Sequence, residues 1–360
     1  MKKNWIDISR AIAILLVIMI HTGQYFNAPY ELKKITNTGD MGVILFFILS
    51  SLTLFNSFEL RYIKDGNNRN KFFFIRRFFR IAPVYYIFTI IYTIIEICVK
   101  GYNSVAYWKI IVSILFLNSI ILPGINYIPN GGWSIGTEML FYCMIPFLFN
   151  YIKTIKNSFY LLVGTIILSN IINIFDSYII DNFTKYDYIN LRGWFFYFWL
   201  PNQLPVFCFG ILLYNIFKAY IFSKNASFIF LISSILLFLI LSQVVFKLNY
   251  PNYFFQREYI YASVFSIFII GIKDLSFNGF FSKIFCLIGK YSFSMYLSHF
   301  LILKVFFYFV KKEYNNINSI YFFIISYIFI CFTTFLISKF TYKIEKFGIS
   351  YGNKLITNYL

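Results

Sequence analysis

The chain alternates long apolar stretches with short polar segments along almost its whole length. A membrane-spanning α-helix needs about 20 mostly apolar residues. Ten stretches come close to this: 8–27, 40–58, 80–99, 135–150, 158–175, 204–217, 228–246, 257–272, 291–310 and 320–338. The pattern predicts an all-α polytopic membrane helix bundle of about ten transmembrane helices. Because no repeat and no long polar linker is visible, we expect residues 1–360 to form a single integral-membrane domain.

One further apolar stretch, 105–122, does not fit this series. Its apolar part is short, and it ends at Pro123-Gly124. Counting it as a span would place Lys153, Lys156 and the C-terminal lysines outside, against the positive-inside rule. Without it, about two-thirds of the 32 lysines and arginines lie on the side of the N-terminus. We therefore predict a re-entrant or interfacial helix here, and a multi-pass protein of the cell membrane with both termini cytoplasmic.

Composition supports a membrane class, with 59% hydrophobic residues, 13% charged residues and a mean hydropathy of +0.69. The net charge of +18 comes from short basic clusters between apolar stretches. This arrangement is typical of contact with an anionic lipid bilayer and argues against nucleic acid as a partner. The five cysteines stand singly without metal-ligand spacing, so we expect neither a metal site nor a disulfide.

The first candidate functional residues are Arg10 and His21, in the first apolar stretch. Eleven helical residues bring a side chain back to nearly the same face, roughly 16 Å further along. Ionisable groups inside membrane helices are commonly functional, and an imidazole is a plausible base for deprotonating an alcohol. The alternative is a histidine that merely packs against a neighbouring helix.

The second candidate is a cationic cluster formed by Arg76, Arg77 and Arg80. In a helix Arg80 lies four positions after Arg76 and three after Arg77, so the three form a compact cluster. Guanidinium groups match phosphate oxygens with bidentate geometry, so the cluster is a candidate phosphate site. Ordinary positive-inside anchoring explains it equally well.

Two further helical stripes carry polar groups into the predicted bundle. After Trp133, the residues Ser134, Glu138 and Tyr142 are spaced four apart. A carboxylate such as Glu138 needs a partner in a membrane helix. Later in the chain, Ser292, Tyr296 and His299 also share a face. His299 is a candidate either for a catalytic role or for a hydrogen-bonded core position.

These four segments, in this order, resemble the membrane-bound acyltransferase family 3, whose bacterial members O-acylate surface polysaccharides. The matching motifs are Arg10 with His21, Gly42–Ser50, Arg77–Pro83, Trp133–Glu138 and Tyr291–His299. One position departs from the pattern, because Ser51 stands where the family usually has glycine. Serine is still small enough for close helix packing.

The resemblance implies transfer of an acyl group, most simply acetyl, from cytosolic acyl-CoA to a sugar hydroxyl of a cell-surface or lipid-linked glycan. Acetyl-CoA is then the donor, and no metal is needed. The implied catalytic residues are His21, Glu138 and Arg10, with His21 acting as a base or accepting the acyl group itself and Glu138 orienting it. Arg76, Arg77 and Arg80 would bind the donor. The implied substrate-binding residues are Trp133, Ser134, Tyr142, Tyr296 and His299. Some family members carry an additional esterase-like domain, which we do not expect in this chain.

Two other functions compete with this interpretation. Charged residues within helices also mark the pathways of transporters and flippases, which do no covalent chemistry. A glycan polymerase would be expected to have a large arginine-rich external loop, whereas the predicted loop 176–203 offers only Arg192. Release of CoA from acyl-CoA distinguishes an acyltransferase from both.

Overall fold

A computed structural model of the protein describes residues 4–26, 30–121, 127–183, 197–244, 256–314 and 320–359. Within these ranges the regular structure is helical, as predicted. The α-helices of eight or more residues are α1 (Asn4–Tyr25), α2 (Tyr30–Asn37), α3 (Met41–Arg61), α4 (Arg69–Lys100), α5 (Tyr107–Ile114), α6 (Gly132–Tyr151), α7 (Ile155–Phe183), α8 (Leu200–Ala219), α9 (Lys224–Val244), α10 (Arg257–Lys273), α11 (Phe280–Tyr314) and α12 (Ile320–Thr357). Short 3₁₀ turns cover Thr38–Asp40, Gly66–Asn68 and Tyr102–Ser104.

The helices confirm a polytopic membrane bundle. Nine of them, in the part of the chain that is described, are long and apolar enough to cross a membrane. The tenth predicted span corresponds to α10, which has 17 residues. At 1.5 Å per residue α10 is roughly 26 Å long, which is at the lower limit for a spanning helix. Each of the ten predicted positions therefore holds a helix.

The ambiguous stretch 105–122 does not cross the membrane as one helix. It contains only α5, of eight residues, followed by turns. Side chains tie it to α4, since Tyr86 donates a hydrogen bond to the carbonyl of Ile114 (3.0 Å) and Asn118 donates one to the hydroxyl of Tyr85 (3.2 Å). Residues 122–126, and residues 184–196 of the predicted loop 176–203, lie outside the described ranges.

Four helices are much longer than their apolar stretches predicted, and one of them, α7, continues to Phe183 rather than ending at residue 175. Helix α4 begins at Arg69 rather than at residue 80, α11 begins at Phe280 rather than at 291, and α12 continues to Thr357 rather than ending at 338. The boundaries taken from hydropathy were wrong here, because a helix continues beyond the apolar run wherever polar residues keep good helix propensity and find partners. As a result, the arginine cluster is helical and the second half of α12 belongs to the bundle.

Helix α1 lies inside the bundle and packs against α3, α11 and α12. Helix α3 in turn packs closely on α8 at the position where the sequence departs from the family pattern. Ser51 is fully buried, and a Cβ atom added to Gly210 of α8 would overlap both its Oγ and the carbonyl oxygen of Ile48. The serine fits because the facing helix supplies the glycine, as in close small-residue contacts between membrane helices.

Candidate active site

A cavity of about 360 Å³ opens where α1, α4 and α11 meet the end of α12. Its volume is within the range of small-molecule sites. Side chains from six helices line it, among them Asp7 and Arg10 (α1), Phe46, Phe47 and Ser50 (α3), Arg77 and Arg80 (α4), Ser134, Glu138 and Tyr142 (α6), Lys290, Ser292 and Tyr296 (α11), and Tyr342 and Glu345 (α12). Seven of the predicted site residues therefore line one cavity: Arg10, Arg77, Arg80, Ser134, Glu138, Tyr142 and Tyr296.

A second cavity of about 220 Å³ adjoins the first and shares Arg77, Arg80 and Ile349 with it. Arg61, Arg69 and Arg76 also line this cavity. Sequence reasoning missed Arg61 and Arg69, although both flank the turn between α3 and α4 and so lie near the predicted cluster. We call the two cavities with their arginines, Arg10, Arg61, Arg69, Arg76, Arg77 and Arg80, the arginine end of the site.

The three clustered arginines differ in their partners. Arg76 forms an ion pair with Asp65 and does not line the first cavity. Arg77 donates a hydrogen bond to the hydroxyl of Ser57 (2.6 Å), while its buried Nε has no hydrogen-bond partner in the described structure. Arg80 lies 3.7 Å from a carboxylate oxygen of Glu345 and has 39% of its side chain exposed. Arg77 and Arg80 are therefore the cluster members that face both cavities.

Glu138 receives hydrogen bonds at the wall of the first cavity. Its Oε1 accepts one from the hydroxyl of Ser50 and one from that of Tyr142, the latter 2.6 Å long. Glu138 does not form the expected contact with His21. Glu138 lines the first cavity at the arginine end, whereas His21 lies eleven residues past Arg10 on α1 and does not line that cavity.

His21 instead has a partner on its own helix. Its Nδ1 is 2.8 Å from the side-chain oxygen of Gln24, three residues along. An amide oxygen only accepts, so this contact assigns the proton to Nδ1, and in the neutral imidazole Nε2 then has the lone pair. The ring packs against Phe300, with centroids 4.2 Å apart, and stacks on His299 at 5.4 Å. Gln24 was missed in the sequence, although the spacing of three on a helix is the signal for such a pair.

His299 is fully buried beside His21. Its Nδ1 is 2.5 Å from the carbonyl oxygen of Tyr296, which can only accept a hydrogen bond, so this nitrogen is protonated. The opposite nitrogen, Nε2, is buried and has no hydrogen-bond partner among the described residues. The two imidazoles thus each present an Nε2 lone pair, and we call His21, His299 and Phe300 the histidine end of the site.

Tyr296 separates the cavity from the two histidines. Its ring lines the cavity and lies 5.5 Å from the ring of His299. Its hydroxyl is 2.8 Å from Oγ of Ser134 and donates to the carbonyl oxygen of Gly131 at 3.1 Å. The predicted polar stripes on α6 and α11 therefore meet at this point.

Trp133 is not a cavity residue. It is 3% exposed, and its ring packs against those of Phe47, Tyr197 and Phe198, the last at 4.7 Å. Its aromatic neighbours make it part of the core, so the substrate-binding role implied by the resemblance is not supported by its placement. In the described ranges, no three His, Cys, Asp or Glu residues are grouped so as to hold a metal ion.

Comparison with known proteins identifies the family. Residues 3–339 match the acyltransferase domain of acyltransferase family 3, and the chain belongs to this family. The match covers every predicted site residue and ends before the last turns of α12.

Individual relatives are distant. "Putative O-acetyltransferase SACOL0978" of Staphylococcus aureus (strain COL) is 24% identical over 323 residues, which cover 83% of this chain and 50% of that protein. "Putative acetyltransferase ORF330" of Acidianus two-tailed virus is 27% identical over 310 residues and 84% of each chain. "Peptidoglycan O-acetyltransferase OatA" of Listeria monocytogenes is 28% identical over 167 residues, covering 42% of this chain and 25% of that protein. The chain thus spans about half the length of the staphylococcal relatives. No solved structure gives a significant match.

Proposed function

We propose that the protein is a membrane O-acyltransferase that moves an acetyl group from acetyl-CoA to a sugar hydroxyl of a cell-surface or lipid-linked glycan. Membership of the family and the names of the relatives support acyl transfer. The observation that carries the choice of donor is the pair of adjoining cavities lined by arginines.

The arginine end has the charge that a CoA donor requires. Six arginines and Lys290 line the two cavities, against the four carboxylates of Asp7, Asp65, Glu138 and Glu345. CoA carries a diphosphate and a 3′-phosphate, and guanidinium groups bind such oxygens with paired hydrogen bonds. The cationic excess and the unused Nε of Arg77 suit a ligand with several phosphates.

The histidine end suits the transfer step. The acyl thioester sits on a long flexible arm, which has to pass Tyr296 to reach the imidazoles from the arginine end. Nε2 of His21 takes the proton from the acceptor hydroxyl while that oxygen attacks the thioester carbonyl. The tetrahedral intermediate then collapses, the C–S bond breaks, and the CoA thiolate leaves and takes up the proton from His21. The product is an O-acyl ester.

Release of free thiol from acetyl-CoA tests this function. Native membranes containing the protein are incubated with acetyl-CoA, and the thiol formed is compared with that from membranes containing His21→Ala at the same abundance. We expect chain-dependent thiol release accompanied by an ester-linked acetyl group on glycan. A transporter or a polymerase would release no thiol above the control.

We also propose that the arginine end faces the cytoplasm, together with both termini, because the donor is cytosolic and the basic residues are concentrated on that side. Lys153, just after α6 ends, is then cytoplasmic. A cysteine introduced there, in a chain without its native cysteines, should not react with an impermeant thiol reagent in intact cells. Labelling at this position would overturn the orientation.

A further inference from the structure

A carboxylate from the last helix takes part in the arginine end. Glu345 lies on α12, six residues beyond the end of the family match at 339, and only 3% of the residue is exposed. Its side chain lines the first cavity. One oxygen, Oε1, is 3.7 Å from Nε of Arg80, while Oε2 is buried without a hydrogen-bond partner in the described structure.

The contact with Arg80 has a defined direction. Glu345 approaches the guanidinium from the side of Nε, and Arg80 itself lines the cavity. The two terminal amino groups form the fork that binds phosphate oxygens in pairs. A carboxylate on the Nε side therefore leaves the fork unoccupied.

Helix packing fixes Glu345 in this place. One turn after it, α12 contacts the backbone of α4 beside Arg80: a Cβ atom added to Gly348 would overlap the carbonyl oxygen of Phe79 and lie 2.8 Å from Cγ of Pro83. The two helices therefore approach each other closely at this point. A buried carboxylate is costly unless partners offset its desolvation, and Arg80 supplies one of them.

We propose that Glu345 is a positioning residue for the donor, an inference that rests on the proposed use of acyl-CoA. Through Oε1 it holds Arg80 with its terminal amino groups turned toward the donor phosphates. Through Oε2 it accepts a hydrogen bond from the hydroxyl or amide N–H that follows the diphosphate in the pantetheine arm of CoA. Glu345 thus makes the last turns of α12 part of the donor site.

The test is kinetic and uses the full chain in membranes. Glu345→Gln keeps the size of the side chain and removes its charge. We expect the KM for acetyl-CoA to rise about tenfold, in line with the loss of a hydrogen bond to a charged group, while kcat stays within about twofold. Glu345→Asp keeps the charge and should recover part of the loss. The matched control is Glu59→Gln, which removes a carboxylate from an exposed ion pair with Lys218 and should change neither parameter.

The dissociation constant of CoA itself provides a second readout that does not depend on transfer. It should rise in Glu345→Gln in parallel with the KM. If an active Glu345→Gln protein has an unchanged KM and an unchanged dissociation constant, this inference alone is overturned. The same holds if the variant loses only kcat. A wild-type protein that releases no thiol from acetyl-CoA would instead overturn the proposed function, and this inference with it. If the Gln variant does not accumulate, Glu345→Asp should still show a raised KM at unchanged kcat. A Glu345→Asp protein with the wild-type KM would contradict the proposal.

Discussion

The arginine end and the histidine end of the site treat charge in opposite ways. The arginine end collects seven cationic and four acidic side chains around two cavities, and Arg80 there is 39% exposed. At the histidine end, two imidazoles stack on one another and on Phe300, and His299 is fully buried. One end is suited to reversible binding of a charged molecule, and the other offers imidazoles for proton transfer.

Because of this difference, we expect substitutions at the two ends of the site to affect different kinetic parameters. A substitution at the histidine end removes a chemical step and should lower kcat. A substitution at the arginine end weakens the hold on the donor and should raise KM. The variants below test this division.

The largest effect is expected for His21→Ala. Loss of a general base typically reduces the rate by about 10²–10⁴-fold, and the small imidazole is not a major part of the packing. Transfer assays, with abundance and melting temperature measured in parallel, test the expectation. A well-folded variant that still acylates its glycan at nearly the wild-type rate would show that the base lies elsewhere, and His299 would become the next candidate.

A smaller loss is expected for Arg80→Lys. Lysine keeps the charge and loses the planar fork, so the KM for acetyl-CoA should rise about tenfold with kcat little changed. Arg257→Lys is the matched control, because Arg257 is paired with Asp40 and lines neither cavity, and its variant should change KM by less than about twofold. An unchanged KM for acetyl-CoA in Arg80→Lys would make the cluster a topology anchor only.

The smallest loss is expected for Glu138→Gln. The amide oxygen can still accept hydrogen bonds from Ser50 and Tyr142, so we expect about a threefold to tenfold rise in KM. Because Glu138 does not contact His21, the profile of kcat against pH should keep its position. If Glu138 instead stabilised a protonated His21, its removal would move the rising limb of the profile of kcat against pH to lower pH.

Much of the fold could be predicted from the sequence, because membrane helices are specified by apolar length. Each of the ten predicted stretches holds a helix, and the placing of α5 followed from basic-residue asymmetry. What hydropathy could not predict was how far α4, α11 and α12 extend as polar helices. Glu345 was missed for this reason, since it lies beyond the apolar run that ended the last predicted span.

The candidate site was also predictable only in part. Helical spacing predicted that Ser134, Glu138 and Tyr142 share a face, and all three line the cavity. Spacing within one helix carries no information about the partner helix. The pairing of Glu138 with Ser50, the stacking of His21 on His299 and the burial of Trp133 among aromatic rings all depend on which helices pack together.

The most direct test of the account is the side of the membrane at which the donor enters. Native membranes are prepared as sealed inside-out and right-side-out vesicles, and labelled acetyl-CoA is added outside each. If the arginine end is the cytosolic donor site, inside-out vesicles should transfer label to glycan and right-side-out vesicles should not, with His21→Ala vesicles as the blank. Labelling only in right-side-out vesicles would contradict the account.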